Sequence, residues 1–153
     1  MGIETWIDLI VDRWRTIEDP RGGNLRAYYV FKQEEFPEAI TEYPCALTYV
    51  TDLSGDYSAG GSREHWNGTT EFHLVSDVGK HHYPYIMRWF ALIRNAVLGS
   101  VSLGGSVSHF MPQVEGGPFI QGPVVLQYGS DAPHLGLVAN WIVKEQVTVT
   151  VTA

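Results

Sequence analysis

Leu135-Gly136-Leu137-Val138-Ala139-Asn140-Trp141-Ile142-Val143-Lys144-Glu145-Gln146-Val147-Thr148-Val149-Thr150-Val151 is the stretch whose reading decides the fold. Side chains on a strand alternate between faces. Every odd position here except Glu145 is apolar, while Asn140, Lys144, Gln146, Thr148 and Thr150 fall between them. The pattern is a strand with one buried and one wet face. Its length is the difficulty: fully extended it reaches roughly 55 Å, against a domain diameter near ~40 Å. The alternation therefore predicts a core strand over Leu135–Val143 with Leu137 and Trp141 buried, a bend or break at Glu145, and an arm over 146–153. That arm would pair outside its own subunit, with Val147, Val149 and Val151 as contacts.

The rest of the chain must supply this strand with neighbours and a cover. Ile3, Trp6, Ile7, Ile10, Val11, Trp14 and Ile17 recur at three- and four-residue steps, which makes Ile3–Ile17 an amphipathic helix stopped by Asp19-Pro20 and Gly22-Gly23. Ile86, Trp89, Phe90, Ile93 and Val97 make a second apolar stripe on a helix from Pro84 to Leu98. Short strands are expected within Leu25–Lys32, over Cys45–Thr51 with Cys45, Leu47 and Tyr49 on one face, over Thr69–Ser76, and over Val124–Tyr128. Glu34–Glu42 reads as a connecting turn of helix, and 112–123 as a Gly/Pro-rich loop. Residues 52–67, with Ser54-Gly55-Asp56 and Gly60-Gly61, read as a long flexible loop in which Tyr57, Arg63 and Trp66 are candidate docking groups. The fold class that follows is α+β in one domain over 1–153: a mainly antiparallel sheet of about four to six strands, with two amphipathic helices on one face.

Composition narrows the function classes. The 153 residues are 44% hydrophobic and 18% charged, as in a globular domain. The richest apolar run, Tyr83–Leu98, is interrupted by Arg88, Arg94 and Asn95, so no membrane span is expected. Met1–Ile10 has no basic n-region and carries Glu4 and Asp8, so no secretory signal is expected. A single cysteine, Cys45, excludes an internal disulfide and a cysteine-rich zinc site, and fits synthesis in a reducing cytoplasm. The net charge is −7, and Gln33–Ser62 contains acids but no Lys or Arg. Such a block does not grip phosphates. It is either a solvated acidic face or a wall, built on Glu34, Glu35, Glu38 and Glu42, that lies near nucleic acid without retaining it.

No catalytic or cofactor signature emerges, and the expectation is a protein that is not an enzyme. The six histidines form no metal-ligand spacing; a metal site would need them to converge in space. His81-His82 precedes the second helix as an exposed turn. Gly99–Ser106 lacks the Lys-Ser/Thr ending of a phosphate loop, and Gly60-Gly61-Ser62 lacks the nucleophile-elbow spacing. Cys45 faces inward by periodicity and reads as an inert thiol. The competing reading is a small-ligand-binding or enzymatic domain with a pocket between the Trp89/Phe90 helix and the sheet, lined by Glu71, His73 or His82.

The amphipathic opening helix, Cys45-Ala46-Leu47-Thr48-Tyr49-Val50 after Tyr43-Pro44, the long polar segment, the returning Phe72-His73-Leu74-Val75, the aromatic helix Tyr83–Leu98 and the closing Trp141-Ile142-Val143-Lys144-Glu145 together resemble the tail terminator (tail completion) proteins of long-tailed bacteriophages. That resemblance implies a structural virion protein at the head-proximal end of the tail, made in the host cytoplasm. It implies a homo-oligomeric ring, usually hexameric, that halts growth of the tail tube, contacts the tail tube protein and the head connector, and lets DNA pass through its lumen without specific binding. Another neck or head–tail joining protein is the near alternative.

Overall fold

In the computed structural model the described residues are 3–20, 30–40, 43–58, 61–99, 109–112, 119–129 and 131–147. The first apolar stripe forms helix α1 (Ile3–Trp14), shorter than its periodicity because the chain leaves the helix at Arg15; Ile17 stays buried all the same. Then follow β1 (Val30–Lys32), β2 (Cys45–Ser58), β3 (Gly61–Val75), helix α2 (Tyr83–Leu98), β4 (His109–Pro112), β5 (Ile120–Leu126) and β6 (His134–Val147). The six strands form one sheet in the order β1-β2-β3-β6-β4, with β5 also paired to β6. Among the described strands, only the β1–β2 pair is parallel. β3 runs along one edge of β6, while β5 and β4 share the other: β5 takes His134–Ala139 and β4 takes Trp141–Lys144. The α+β class is as the sequence predicts.

β6 is an interior strand of this sheet. Leu135, Leu137, Ala139, Trp141 and Val143 are all buried, as their alternation requires. On the same face lie Phe72 and Leu74 of β3, and against them pack Trp14 of α1 and Trp89 of α2; the Trp14 and Phe72 rings meet edge to face at 5.2 Å. Three side chains converge on the Thr70 hydroxyl beneath this layer. It accepts the indole N–H groups of Trp14 at 3.0 Å and Trp141 at 3.1 Å, and lies 2.9 Å from Oγ1 of Thr48. α1 lies over β1 and β2, and α2 over β4, β5 and β6.

Four expectations are corrected. Residues 52–67 are no loop: β2 and β3 pair in register from Asp52↔Asn67 to Ser58↔Gly61, past a bulge at Val50/Asp52. Trp66 is accordingly a core residue on the helix-bearing face, 5% exposed, and no docking group. β6 does not break at Glu145, which is itself buried, and Gln146 and Val147 pair with Arg63 and Ser62 of the same chain. The strand fits because β2 and β3 lengthen with it into a ribbon, so its first arm residues join their own sheet. Val149 and Val151 lie outside the described residues. β5 begins at Ile120, inside the expected loop, and a bulge between Gln121 and Val124 accommodates Pro123.

Candidate functional site

Two surfaces on opposite flanks of the sheet stand unpartnered among the described residues. The first is the outer edge of β2. β1 covers only Ala46–Thr48, and Gln33 Oε1 accepts the Val50 N–H at 2.9 Å; beyond that point no described strand runs along Thr51–Ser58. An edge of this length presents a row of backbone donors and acceptors to a partner strand. Leu53 and Tyr57 are exposed on it, and the Tyr57 hydroxyl donates to Glu64 at 3.2 Å across the hairpin. Arg63 is exposed on β3 opposite Asp56.

The second surface is the outer face of α2. Met87, Phe90, Arg94 and Leu98 follow one another at three- and four-residue steps, so they form a stripe on one side of the helix. Met87 is 64% exposed, Phe90 41% and Leu98 52%. The periodicity places Phe90 on the buried stripe, but it is exposed. The step from Trp89 turns it about 100° away, and Ile86, Trp89, Ile93 and Val97 already fill the buried side. α2 has no acidic residue, and Arg88 and Arg94 are exposed on it. The opposite flank carries exposed Asp52, Glu35 and Glu38. Of the acidic-wall candidates, Glu35 also lies 3.5 Å from Lys32 Nζ, Glu34 sits in the 3-10 turn Gln33–Glu35, and Glu42 lies outside the described residues.

On the sheet face away from the helices, a second apolar cluster packs Phe36, Ile40 and Tyr43 against Cys45 and Leu47. Beside it runs a polar relay that no spacing rule reveals, since His73 and His134 are 61 residues apart. The Tyr49 hydroxyl donates to Glu71 at 2.8 Å, and the other oxygen of Glu71 lies 3.1 Å from Nε2 of His73. Nδ1 of His73 bonds Nε2 of His134, whose Nδ1 lies 3.0 Å from the Ala132 carbonyl and 3.3 Å from the Tyr43 hydroxyl. Both imidazoles are buried. Hydrogen bonding to His73 holds the Glu71 carboxyl below its ordinary range, with the Tyr49 hydroxyl helping against burial. Burial, reinforced by the neighbouring His73, depresses the basicity of His134. Burial also pushes the Cys45 thiol up to about 12, which makes it the inert thiol expected.

The relay makes the fold acid-sensitive. A folded-state pKa below the unfolded value means that the unfolded chain binds the proton more readily, so stability falls as pH falls. For His134 the loss starts near its ordinary 6.5 and continues below it; for Glu71 it starts near 4.5 and extends lower. Urea midpoints should therefore decline from pH 7.5 to pH 5.5, and His134→Gln should flatten that decline. Equal slopes in the two proteins would remove His134 as its source.

The pocket imagined between α2 and the sheet is filled by Trp14, Phe72, Trp89 and Ile93, and His73 and Glu71 lie on the sheet's other face. His82 instead lines a cleft of about 200 Å³ with Asp19, Tyr43, Ser76 and Tyr85. That volume is below the range of ordinary small-molecule sites. At its rim, Asp77, His81 and His82 converge. No described helix is long and apolar enough to cross a membrane. No protein-family model matches the chain, and no curated protein matches it in sequence.

Proposed function

We propose that this protein is a ring-forming structural protein of a bacteriophage tail, the terminator at the head-proximal end of the tail tube, acting by binding and not by catalysis. The observation that supports the assembly reading is the presence of two exposed surfaces of different chemistry on one chain. One is an open strand edge with acidic neighbours; the other is an apolar helix face bearing arginines. A head-to-tail contact between two different patches closes into a ring when the rotation per subunit permits. In such a ring the exposed Leu53 and Tyr57 side chains of β2 and their acidic neighbours meet the α2 stripe across each boundary, while the backbone edge Thr51–Ser58 stays open to a partner strand, and hot spots fall on Phe90, Met87 and Leu98. The acidic block around Glu35 and Glu38 suits a lumen from which DNA must slide free. The tail tube protein and the head connector are the partners on the two ring faces.

Native mass spectrometry of the protein, alone and with the tail tube protein, tests this directly. A closed ring is expected, and Met87→Glu/Phe90→Glu should reduce it to monomers of unchanged thermal stability. A wild-type protein that stays monomeric in both conditions would refute the ring. Loss of the protein from phage particles should leave overlong or ragged tubes; tubes of normal length would favour another neck protein.

A further inference from the structure

The loop between β3 and α2 assembles three metal-ligating side chains at the surface. Asp77 is fixed first: its Oδ1 accepts the Gly79 N–H at 2.8 Å, and its Oδ2 lies 2.9 Å from Nε2 of His82. The 3-10 turn Lys80–His82 then sets His81 beside His82, with ring centroids 4.0 Å apart. One donor atom from each of the three residues lies within 4.8 Å of the others. His81 packs directly over Gly79, where an added Cβ would meet the ring at 2.5 Å and push this exposed side chain aside.

We propose that Asp77, His81 and His82 bind a first-row divalent metal ion of the zinc type, as a two-imidazole, one-carboxylate site. A zinc ion held at ~2.0–2.2 Å from each ligand needs donors roughly 3–3.5 Å apart. The Asp77–His82 pair, hydrogen-bonded at 2.9 Å, needs only to exchange its shared proton for the metal and open by a few tenths of an ångström, and the exposed His81 side chain closes the rest by rotation. Imidazole donors select zinc, cobalt, nickel or copper over magnesium and calcium. Three protein ligands leave positions for water, and the cleft that His82 lines gives that water space. The positive end of the α2 dipole and the adjacent Lys80 oppose the cation, so the carboxylate is the ligand that makes the charge balance workable.

Cobalt(II) titration of the full chain, followed by its visible absorption and by zinc competition, tests the site. One equivalent of cobalt should bind and be displaced by zinc. His81→Ala and His82→Ala should each weaken binding by about 10-fold or more. His81→Ala is the informative variant, because the Asp77–His82 hydrogen bond survives it. In the wild-type protein, paramagnetic broadening should centre on the Gly79 amide, a readout that requires no variant to fold. Absence of binding, unchanged affinity in His81→Ala, or broadening centred elsewhere would each overturn the proposal.

Discussion

Thr70→Val is expected to destabilise the protein by about 3–5 kcal/mol, although the two side chains have nearly the same shape. A hydroxyl has two acceptor lone pairs and one proton. At Thr70 the indoles of Trp14 and Trp141 take the lone pairs, so the proton goes to Thr48. All four side chains are fully buried. Valine would remove the Thr70 acceptor from two indole N–H groups and deprive Thr48 of a donor, and each buried hydrogen bond lost in this way costs about 1–3 kcal/mol. For a chain of this length a loss of that size lowers Tm by about 10 °C or more. Thr70→Ser, which keeps the oxygen, should lose far less. Equal stabilities of the valine and wild-type proteins in urea would mean that the hydroxyl does not tie α1, β3 and β6 together.

Gly136→Ala should be as damaging by a different route. An added Cβ would lie 1.8 Å from the backbone oxygen of Phe72, and 2.9 Å from a methyl of Leu126. A side chain can rotate away; a strand carbonyl in the middle of a sheet cannot. β3 and β6 would have to separate where Gly136 pairs with His73, pulling the His73–His134 contact apart as well. Overpacking without relief costs about 3 kcal/mol or more. The expected result is a poorly soluble protein, or one whose urea midpoint falls sharply and whose acid sensitivity changes. A protein with unaltered stability would show that the strands tolerate a wider spacing there.

Much of this architecture is legible in the sequence, and the failures share a cause. The helices and the buried face of β6 announce themselves by period, because one burial surface dictates which positions are apolar. Residues 52–67 carry the opposite signal. Ser54, Gly55, Asp56, Ser62 and Asn67 are turn formers by local preference. They are nevertheless strand, because β3 is paired to β2 on one side and to β6 on the other, and ladder hydrogen bonds outweigh weak propensity. Glu145 misleads for the same reason: a charge suggests a strand end, yet the pairing continues through Val147. The imidazole relay was invisible because its members come from β3 and the start of β6, and only the sheet register places His73 beside His134. Asp77, His81 and His82, by contrast, are close in sequence. What the spacing omits is the tight turn at Gly79 that folds Asp77 back onto His82.

The position of β6 has a consequence for how the molecule forms. It is the last described strand in the chain, yet it lies between β3 and the β4/β5 pair. Until it arrives, β3 has a bare edge, Thr70 lacks one of its indoles, and β4 and β5 have no sheet to join. Contacts this distant along the chain slow folding, since a large loop must close before any of them forms. During synthesis the earlier hairpin would therefore wait as a sticky, half-built sheet, and the final step would be insertion of a single strand that completes both edges at once.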